Sequence, residues 1–316
     1  MDHTTFGRTG LTVSTLGLGG ASIGGSYGPV VDESEAVRTV QAAVELGITF
    51  IDTAPLYGLG QSEERIGRAL ADCRGRDRVI LATKVGHFPP GLGYDRATTV
   101  AAVEASLARL QTDHVDLIQI HEADEVPLAR AVEETLEGFR LLQAAGKVRF
   151  VGITGDDVAK LALAADTGLF DTVQTFRHYT LINRTAEVEL LPTAARHNMG
   201  VINGSPLGMG LLTKGDPHEM GRPAPPDVVS RIDRMRALAQ HLGVSLPELA
   251  IRFSLSQPGI SITIPGTKSV ARLQENAAAW RAGPLPSDVL AEIMKEGGGM
   301  KAEPIPADVV AEVLKG

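Results

Sequence analysis

Short apolar runs alternate with longer amphipathic stretches along most of the chain. The apolar runs are continuous, which is typical of parallel strands buried on both faces of a sheet. We predict eight strands, at residues 16–18, 47–52, 79–84, 115–121, 147–153, 172–175, 200–203 and 260–264. We predict helices at residues 33–46, 62–73, 98–110, 128–145, 156–166, 185–197 and 269–280.

Strands that alternate with helices in this way predict an α/β protein with a (β/α)8 barrel, also called a TIM barrel. The rival fold is a doubly wound open sheet, which favours a Gly-x-Gly-x-x-Gly turn after a strand. The run at residues 18–25 is rich in glycine but lacks that spacing. The pattern therefore favours the barrel.

Three segments lie outside the repeating units. Residues 6–13 predict an N-terminal hairpin that turns through Arg8-Thr9-Gly10, because glycine suits a turn. Residues 211–226 hold many Gly and Pro residues and predict a loop over the barrel mouth. At the C-terminus, residues 284–295 resemble residues 304–315, and each copy predicts a short helix. We expect one domain over residues 1–316, with an extension from about residue 284.

Composition and charge narrow the class of protein. The chain has 316 residues, 43% of them hydrophobic, and a formal net charge of −8 without a basic stripe, which argues against nucleic-acid binding. Cys73 is the single cysteine, and the N-terminal residues do not resemble a secretion signal, so we expect a cytoplasmic protein. No apolar run is long enough to cross a membrane. A monomer and a homo-oligomer both fit the sequence.

Titratable side chains close three successive predicted strands. Asp52, Lys84 and His121 end the second, third and fourth strands, and reactive groups of this barrel lie at the carboxyl ends of strands. Tyr57 follows in the loop after Asp52. A tyrosine has a pKa of about 10, and a nearby ammonium lowers it, which eases proton transfer to or from a substrate oxygen. Asp52 can supply the counter-charge for Lys84, and His121 can hydrogen-bond the substrate oxygen.

These residues stand in segments that resemble the aldo-keto reductase superfamily. The segments are residues 52–63 (DTAPLYGLGQSE), 82–84 (ATK), 116–121 (DLIQIH) and 146–153 (GKVRFVGI), and the resemblance runs from residue 6 to residue 276. It implies a (β/α)8 barrel that binds a nicotinamide dinucleotide, NAD or NADP. It also implies that Asp52, Tyr57, Lys84 and His121 form a catalytic tetrad, with Tyr57 as the general acid or base.

The resemblance also implies a set of cofactor-binding residues. Thr154 and Gln174 match positions near the nicotinamide carboxamide, Ser205 and Leu207 lie in a loop against the pyrophosphate, and the adenosine end matches Gly266, Thr267, Lys268, Arg272, Glu275 and Asn276. Thr154-Gly155 stands where the family often has Ser-Asn. Gly204 stands where many members have an aromatic residue that stacks on the nicotinamide, so Phe176 or Tyr179 would hold the ring instead.

Within the superfamily, residues 53–57, 176–180 and 204–212 are most similar to a sugar-oxidising branch. That branch holds L-galactose, L-fucose and D-threo-aldose 1-dehydrogenases and a pyridoxal dehydrogenase, and its sugar enzymes oxidise a cyclic hemiacetal to a lactone. Arg177 and His178 would suit a polyhydroxylated substrate. We also assign Tyr27 and Phe88 to the substrate side.

Three alternatives accompany this interpretation. The first is a general aldehyde or ketone reductase. The second is a cofactor-binding regulatory protein on the same barrel, with slow turnover. The third is a metal-dependent hydrolase, which would need clustered His and carboxylate ligands. The histidines are scattered along the sequence, so we expect no metal site.

Overall fold

The computed structural model describes residues 2–26, 32–88, 91–123, 128–213 and 224–296. Its main feature is a sheet of eight parallel strands. In chain order the barrel strands are β3 (Leu18–Gly19), β4 (Phe50–Asp52), β5 (Ile80–Val85), β8 (Val115–Ile120), β9 (Val148–Gly155), β10 (Thr172–Phe176), β11 (Gly200–Gly204) and β12 (Ile262–Ile264). Two antiparallel pairs lie outside it, namely β1 (His3–Thr5) with β2 (Thr12–Ser14) and β6 (His87–Phe88) with β7 (Gly91–Leu92).

The sheet closes on itself between its first and last strands. Each barrel strand pairs with the next barrel strand along the chain, in the order β3, β4, β5, β8, β9, β10, β11, β12. Parallel bridges from Leu16 to Thr263 and from Gly19 to Gly266 then join the two ends. The predicted (β/α)8 barrel is confirmed, and the strands lie within a few residues of their predicted bounds.

Amphipathic helices surround the barrel. Their bounds are α1 (Glu33–Glu45), α2 (Gln61–Asp72), α3 (Arg96–Leu110), α4 (Leu128–Ala144), α5 (Val158–Asp166), α6 (Leu190–Arg196), α7 (Pro226–His241), α8 (Leu246–Leu255), α9 (Val270–Ala282) and α10 (Ser287–Glu296). Several begin at a side chain that accepts a hydrogen bond from the first turn, as Asp32 does from Glu35 N and Asp95 from Thr98 N. These caps fix where α1 and α3 start.

Two helical predictions needed correction. The predicted helix at 185–197 is divided into a 3-10 turn, Thr185–Glu187, and α6, because Pro192 has no backbone N–H to donate and fits only the first turn of a helix. The segment between β11 and β12 also holds α7 and α8, which the strand and helix patterns did not reveal. Of the predicted loop at 211–226, residues 214–223 lie outside the described part, and Pro226 already begins α7.

The predicted N-terminal hairpin is present and covers one end of the barrel. Its strands pair from His3–Ser14 to Thr5–Thr12, and Gly10 takes a positive φ of 68° in the turn between them. The Phe6 ring packs edge-on against Phe50, with centroids 5.7 Å apart. A Cβ on Gly200 would lie 2.3 Å from the Phe6 ring, so only glycine allows this approach.

Apolar side chains fill this end of the barrel interior. The inner cluster consists of Phe6, Val13, Phe50, Ala82, Leu117, Ile202, Ile262 and Ile264. A larger cluster lies between the strands and the helices. The carboxyl ends of the strands thus remain for polar side chains.

The C-terminal extension is described only in part. The first predicted copy forms α10, and its Ile293 is buried in the outer core. The second copy, residues 304–315, lies outside the described residues.

Candidate active site

The four residues of the predicted tetrad come together at the carboxyl ends of the strands. Asp52 is the last residue of β4, Lys84 lies near the end of β5 and His121 follows β8. Lys84 Nζ donates to Asp52 Oδ2 at 2.5 Å and to the backbone oxygen of Thr53 at 2.9 Å. Both charged side chains are almost fully buried. The ion pair therefore lies inside the barrel mouth, where hydrogen bonds from both sides fix it.

Tyr57 and His121 complete the group. Lys84 Nζ lies 4.8 Å from the centroid of the Tyr57 ring. The Tyr57 and His121 rings meet edge to face, with centroids 5.6 Å apart and planes at 90°. The four side chains thus form one contiguous group at the barrel mouth, as the positions of the strand ends predict.

Gln119 is a member of this group that we did not predict. Its Nε2 donates to Asp52 Oδ1 at 2.9 Å, so both carboxylate oxygens are bound. Gln119 lies beside Lys84 in the register of β5 and β8. A polar residue within the apolar run Leu117-Ile-Gln-Ile120 was the available signal.

Burial displaces the pKa of each charged group. Loss of water raises the pKa of Asp52 and lowers that of Lys84, and the attraction between the two opposes both shifts. The pKa of His121 lies well below its usual value, first because of burial and then because of the nearby Lys84 charge. His121 is therefore neutral at physiological pH, and a neutral imidazole still has one N–H to donate.

A second polar pair borders His121. The His87 ring lies 5.8 Å from the His121 ring, and its Nδ1 contacts the Glu122 carboxylate. Both partners are about one-third exposed. This pair forms part of the rim of the barrel mouth.

A cavity of about 600 Å³ runs from the tetrad across the barrel mouth. Asp52 and Tyr57 of the tetrad line it, and so do Ser22 and Gly266, which are close neighbours. Of the predicted cofactor residues, Gln174, Ser205, Leu207 and Gly266 line it. Further lining residues that we did not predict are Gly19, Gly20, Ala21, Ser22, Ser26, Met209, Gly210 and Thr213.

Gln174 lines this cavity and carries an acceptor that is not used. Its Oε1 is buried and has no hydrogen-bond partner within the described residues. A Cβ on Gly204 would lie 3.4 Å from Gln174 Nε2, so glycine keeps space open beside the amide. Phe176 lines the same cavity. Tyr179, the other aromatic proposed from the sequence, stacks on Phe253 instead, with centroids 5.1 Å apart.

The remaining predicted cofactor residues lie at two places. Thr154 is buried near the end of β9, and its hydroxyl accepts from Glu122 N at 3.2 Å. The others lie around the start of α9, where Thr267 and Asn276 are buried. Arg272 and Glu275 are exposed and paired with each other at 2.7 Å. Lys268 is half-buried just before the helix.

The predicted substrate residues are placed less centrally. Arg177 Nη2 donates to Asp156 Oδ2 at 2.5 Å, and His178 Nε2 lies 2.6 Å from the Asp156 backbone oxygen. Neither Arg177 nor His178 is among the residues that line the cavity. Tyr27 lies outside the described residues, and of Phe88 only the backbone, in β6, is described.

The backbone is strained at this end of the barrel. Glu122, Arg177 and Ser205 follow β8, β10 and β11, and each has a backbone φ between 48° and 66°. Residues other than glycine rarely adopt such a φ. Such conformations cluster at functional sites.

The described residues show neither a metal-ligand cluster nor a membrane-spanning helix. Across the described ranges, no three His, Cys, Asp or Glu side chains meet as metal ligands. Among the helices of the same ranges, none is long and apolar enough to cross a membrane.

Comparisons with known proteins agree with this geometry. The sequence pattern of the Aldo/keto reductase family matches residues 15–296. The chain is 36% identical to an L-galactose dehydrogenase of Arabidopsis thaliana over 277 residues, which is 86% of each chain. It is 29% identical to a D-threo-aldose 1-dehydrogenase of a Pseudomonas species, over 90% of this chain and 94% of that protein.

A solved structure gives the same result. The aldo-keto reductase AKR11C1 of Bacillus halodurans, in its holo form, superposes with a TM-score of 0.83 at 29% identity and covers 96% of this chain and 98% of its own. The family match spans almost the whole barrel, including Asp52, Tyr57, Lys84 and His121. This chain belongs to the aldo/keto reductase family of oxidoreductases.

Proposed function

We propose that the protein interconverts a carbonyl and an alcohol with NAD or NADP, and that Tyr57 transfers the proton. The observation that carries the proposal is the position of Lys84, held by Asp52 at 2.5 Å with its ammonium 4.8 Å from the Tyr57 ring. A buried ammonium beside a phenol favours the phenolate, because it supplies the opposite charge where water is absent. Tyr57 can then give up or take a proton near neutral pH.

The cavity has features that suit a nicotinamide cofactor. Members of this family use NAD(P)H. Gln174 Oε1 is buried without a partner in the described part of the chain, and a carboxamide N–H is the donor it lacks. Phe176 and Gly204 line the space beside it, which can take a flat ring. When bound there, the cofactor supplies the hydride acceptor or donor.

The remaining proposed cofactor residues line the cavity or lie around the start of α9. Ser205, Leu207 and Gly266 line the cavity. We propose that Thr154 contacts the nicotinamide side. Around the start of α9 we propose that the adenosine half is held by Thr267, Lys268, Arg272, Glu275 and Asn276.

Each tetrad residue then has one task. In alcohol oxidation, Tyr57 takes the hydroxyl proton, and in carbonyl reduction it returns a proton to the same oxygen. Lys84 stabilises the phenolate, while Asp52 and Gln119 hold Lys84 in place. Neutral His121 donates a hydrogen bond to the substrate oxygen and fixes its direction.

We further propose that the substrate is a sugar, oxidised at its hemiacetal carbon to a lactone. Relatives that match most of the chain include a dehydrogenase of L-galactose and one of D-threo-aldoses. The His87–Glu122 pair at the rim offers polar partners for hydroxyl groups. Arg177 and His178 do not line the cavity and would need to leave Asp156 to reach a substrate.

The test is an assay of reduced-cofactor absorbance with L-galactose, L-fucose, other aldoses and simple aldehydes, in both directions. We expect oxidation of at least one aldose by the wild type. We expect Tyr57→Phe to lower kcat by about 10²–10⁴-fold while cofactor affinity stays within about twofold.

Two outcomes would contradict the proposal. A Tyr57→Phe variant with near wild-type kcat would refute the role of Tyr57. Tight cofactor binding without turnover over the whole panel would favour the cofactor-binding regulatory protein. Turnover of simple aldehydes alone would favour the general aldehyde or ketone reductase.

A further inference from the structure

The N-terminal ends of α1 and α9 lie side by side, joined by a carboxylate. Glu35, in the first turn of α1, accepts a hydrogen bond from the backbone N–H of Val270 through Oε1 at 3.0 Å. Val270 is the first residue of α9, whose Ser269 cap accepts from Arg272 N. One helix therefore contributes an acidic side chain to the start of the other.

Glu35 is held in this position from both sides. Arg38 Nη2 donates to Glu35 Oε2 at 2.7 Å, one turn further along α1. The hydrogen bonds from Arg38 and then from Val270 hold the pKa of Glu35 below its usual value. Its side chain is about one-third exposed, so the carboxylate is ionised and partly open to solvent.

The start of α9 lies close in the chain to a residue that lines the cavity. The cavity wall at Ser22 and Gly266 is followed, three residues after Gly266, by the helix cap Ser269. The same stretch holds Lys268 and Arg272, which we proposed for the adenosine half of the cofactor. NADP differs from NAD by a 2′-phosphate on that half, so the charges here bear directly on the choice between them.

We infer that Glu35 makes the protein prefer NAD over NADP, an inference that rests on the proposed function. A helix N-terminus attracts an anion, and here the Glu35 carboxylate already occupies one of its N–H groups. A carboxylate beside an adenosine ribose accepts a hydrogen bond from the 2′-hydroxyl and repels a 2′-phosphate. The positive charge of Lys268 has the opposite effect and favours a 2′-phosphate. Arg272 pairs with Glu275 at 2.7 Å, so its charge is already matched.

The test measures binding to the protein without turnover. Isothermal titration calorimetry gives the Kd of NAD⁺ and NADP⁺, and of the fragments 5′-AMP and 2′,5′-ADP, which differ at the 2′ position. We expect the wild type to bind NAD⁺ at least about tenfold more tightly than NADP⁺. In Glu35→Gln we expect NADP⁺ and 2′,5′-ADP to bind about tenfold more tightly than in the wild type, with NAD⁺ and 5′-AMP little changed.

The controls separate charge from structure. Glutamine keeps an acceptor oxygen for the Val270 N–H, so the variant retains the helix contact, and thermal unfolding verifies this. Glu33→Gln removes a charge from the same helix at an exposed pair with Arg68, and we expect it to leave the NAD⁺ to NADP⁺ ratio unchanged. Added salt should reduce the wild-type preference, because it screens the repulsion.

The possible outcomes distinguish failure of this inference from failure of the proposed function on which it rests. Equal or tighter binding of NADP⁺ by the wild type would overturn the inference and leave the proposed oxidoreductase intact. An unchanged ratio in Glu35→Gln would do the same. Failure of both dinucleotides to bind would overturn the proposed function itself, and the inference with it.

Discussion

His121 shows how its position in the barrel fixes the protonation state of a side chain. It is buried, it lies near the Lys84 ammonium, and its pKa is held well below the usual value for histidine. In the unfolded chain the same imidazole titrates at about 6.5. Folding therefore selects the neutral form, which is the form that can donate to a substrate oxygen without adding a second positive charge beside Lys84.

This selection makes stability depend on pH. Because the folded pKa of His121 is lowered, its contribution is fully present above the unfolded pKa and is lost as pH falls below it. We expect the free energy of unfolding to decrease more steeply between pH 6.5 and 5 in the wild type than in His121→Gln. The difference in slope approaches about 1.4 kcal/mol per pH unit, the value for one proton.

Urea unfolding at several pH values measures both slopes. His241→Gln, at an exposed residue of α7, is the matched control and should keep the wild-type slope. Parallel curves for the wild type and His121→Gln would show that His121 is not the group responsible.

Residue types at strand ends were readable from the sequence, but their neighbours were not. Asp52, Lys84 and His121 stand at breaks between apolar and polar runs, and the barrel brings all such breaks to one edge. Arg177 and His178 also follow a strand, yet both contact Asp156, which lies in the loop after β9. Loop conformation decides such contacts, and strand periodicity carries no information about it.

At the level of elements, the N-terminal hairpin acts as a cover for the amino end of the barrel. Phe6 is buried against Phe50, and Arg8 Nη2 donates to the backbone oxygen of Gly168 at 2.8 Å. The tetrad lies at the opposite ends of the strands. The cover therefore contributes to stability and has no part in the chemistry.

We expect Phe6→Ala to lower the free energy of unfolding by about 3–5 kcal/mol, because it leaves a cavity in a packed core. At a temperature where the variant stays folded, we expect kcat and KM to match the wild type. Chemical denaturation and steady-state kinetics measure the two effects. Thr5→Ala, at an exposed hairpin residue, is the control, and a loss of kcat in folded Phe6→Ala would contradict the separation of roles.

Elements with a strong periodic pattern of apolar residues were predictable. A helix marked mainly by its capping residues, such as α8, was missed. The eight strands have continuous apolar runs because helices cover the outer face and packed side chains fill the inner one. By contrast, α8 carries its signal at the start, where Ser245 caps Glu248 N at 3.2 Å and Pro247 occupies the first turn. A Ser-x-x-Glu capping box predicts such a helix, provided the Pro is interpreted as a beginning rather than a break.

At the level of the whole molecule, one seam holds the barrel closed. Leu16 and Gly19 bridge to Thr263 and Gly266. Behind this seam, Nε1 of the buried Trp280 donates to Thr15 Oγ1 at 2.9 Å and so joins α9 to the N-terminal segment.

The chain has a single tryptophan, so its fluorescence reports on this seam alone. We expect the emission of Trp280 and the far-UV circular dichroism to change together in urea, because the seam and the other strand pairs belong to one continuous sheet that unfolds cooperatively. A fluorescence transition at clearly lower urea would show instead that the seam opens before the remaining strands.

The same seam has a consequence for the growing polypeptide. On the ribosome, β3 emerges early and its partner β12 only after most of the chain has been made. Contacts between segments so far apart form slowly, because a long loop must first be closed. The nascent protein can hold Asp52, Lys84 and His121 on neighbouring strands long before it has a cavity to serve them. The wall formed by Ser22 and Gly266 is assembled last, so binding competence arrives only with closure.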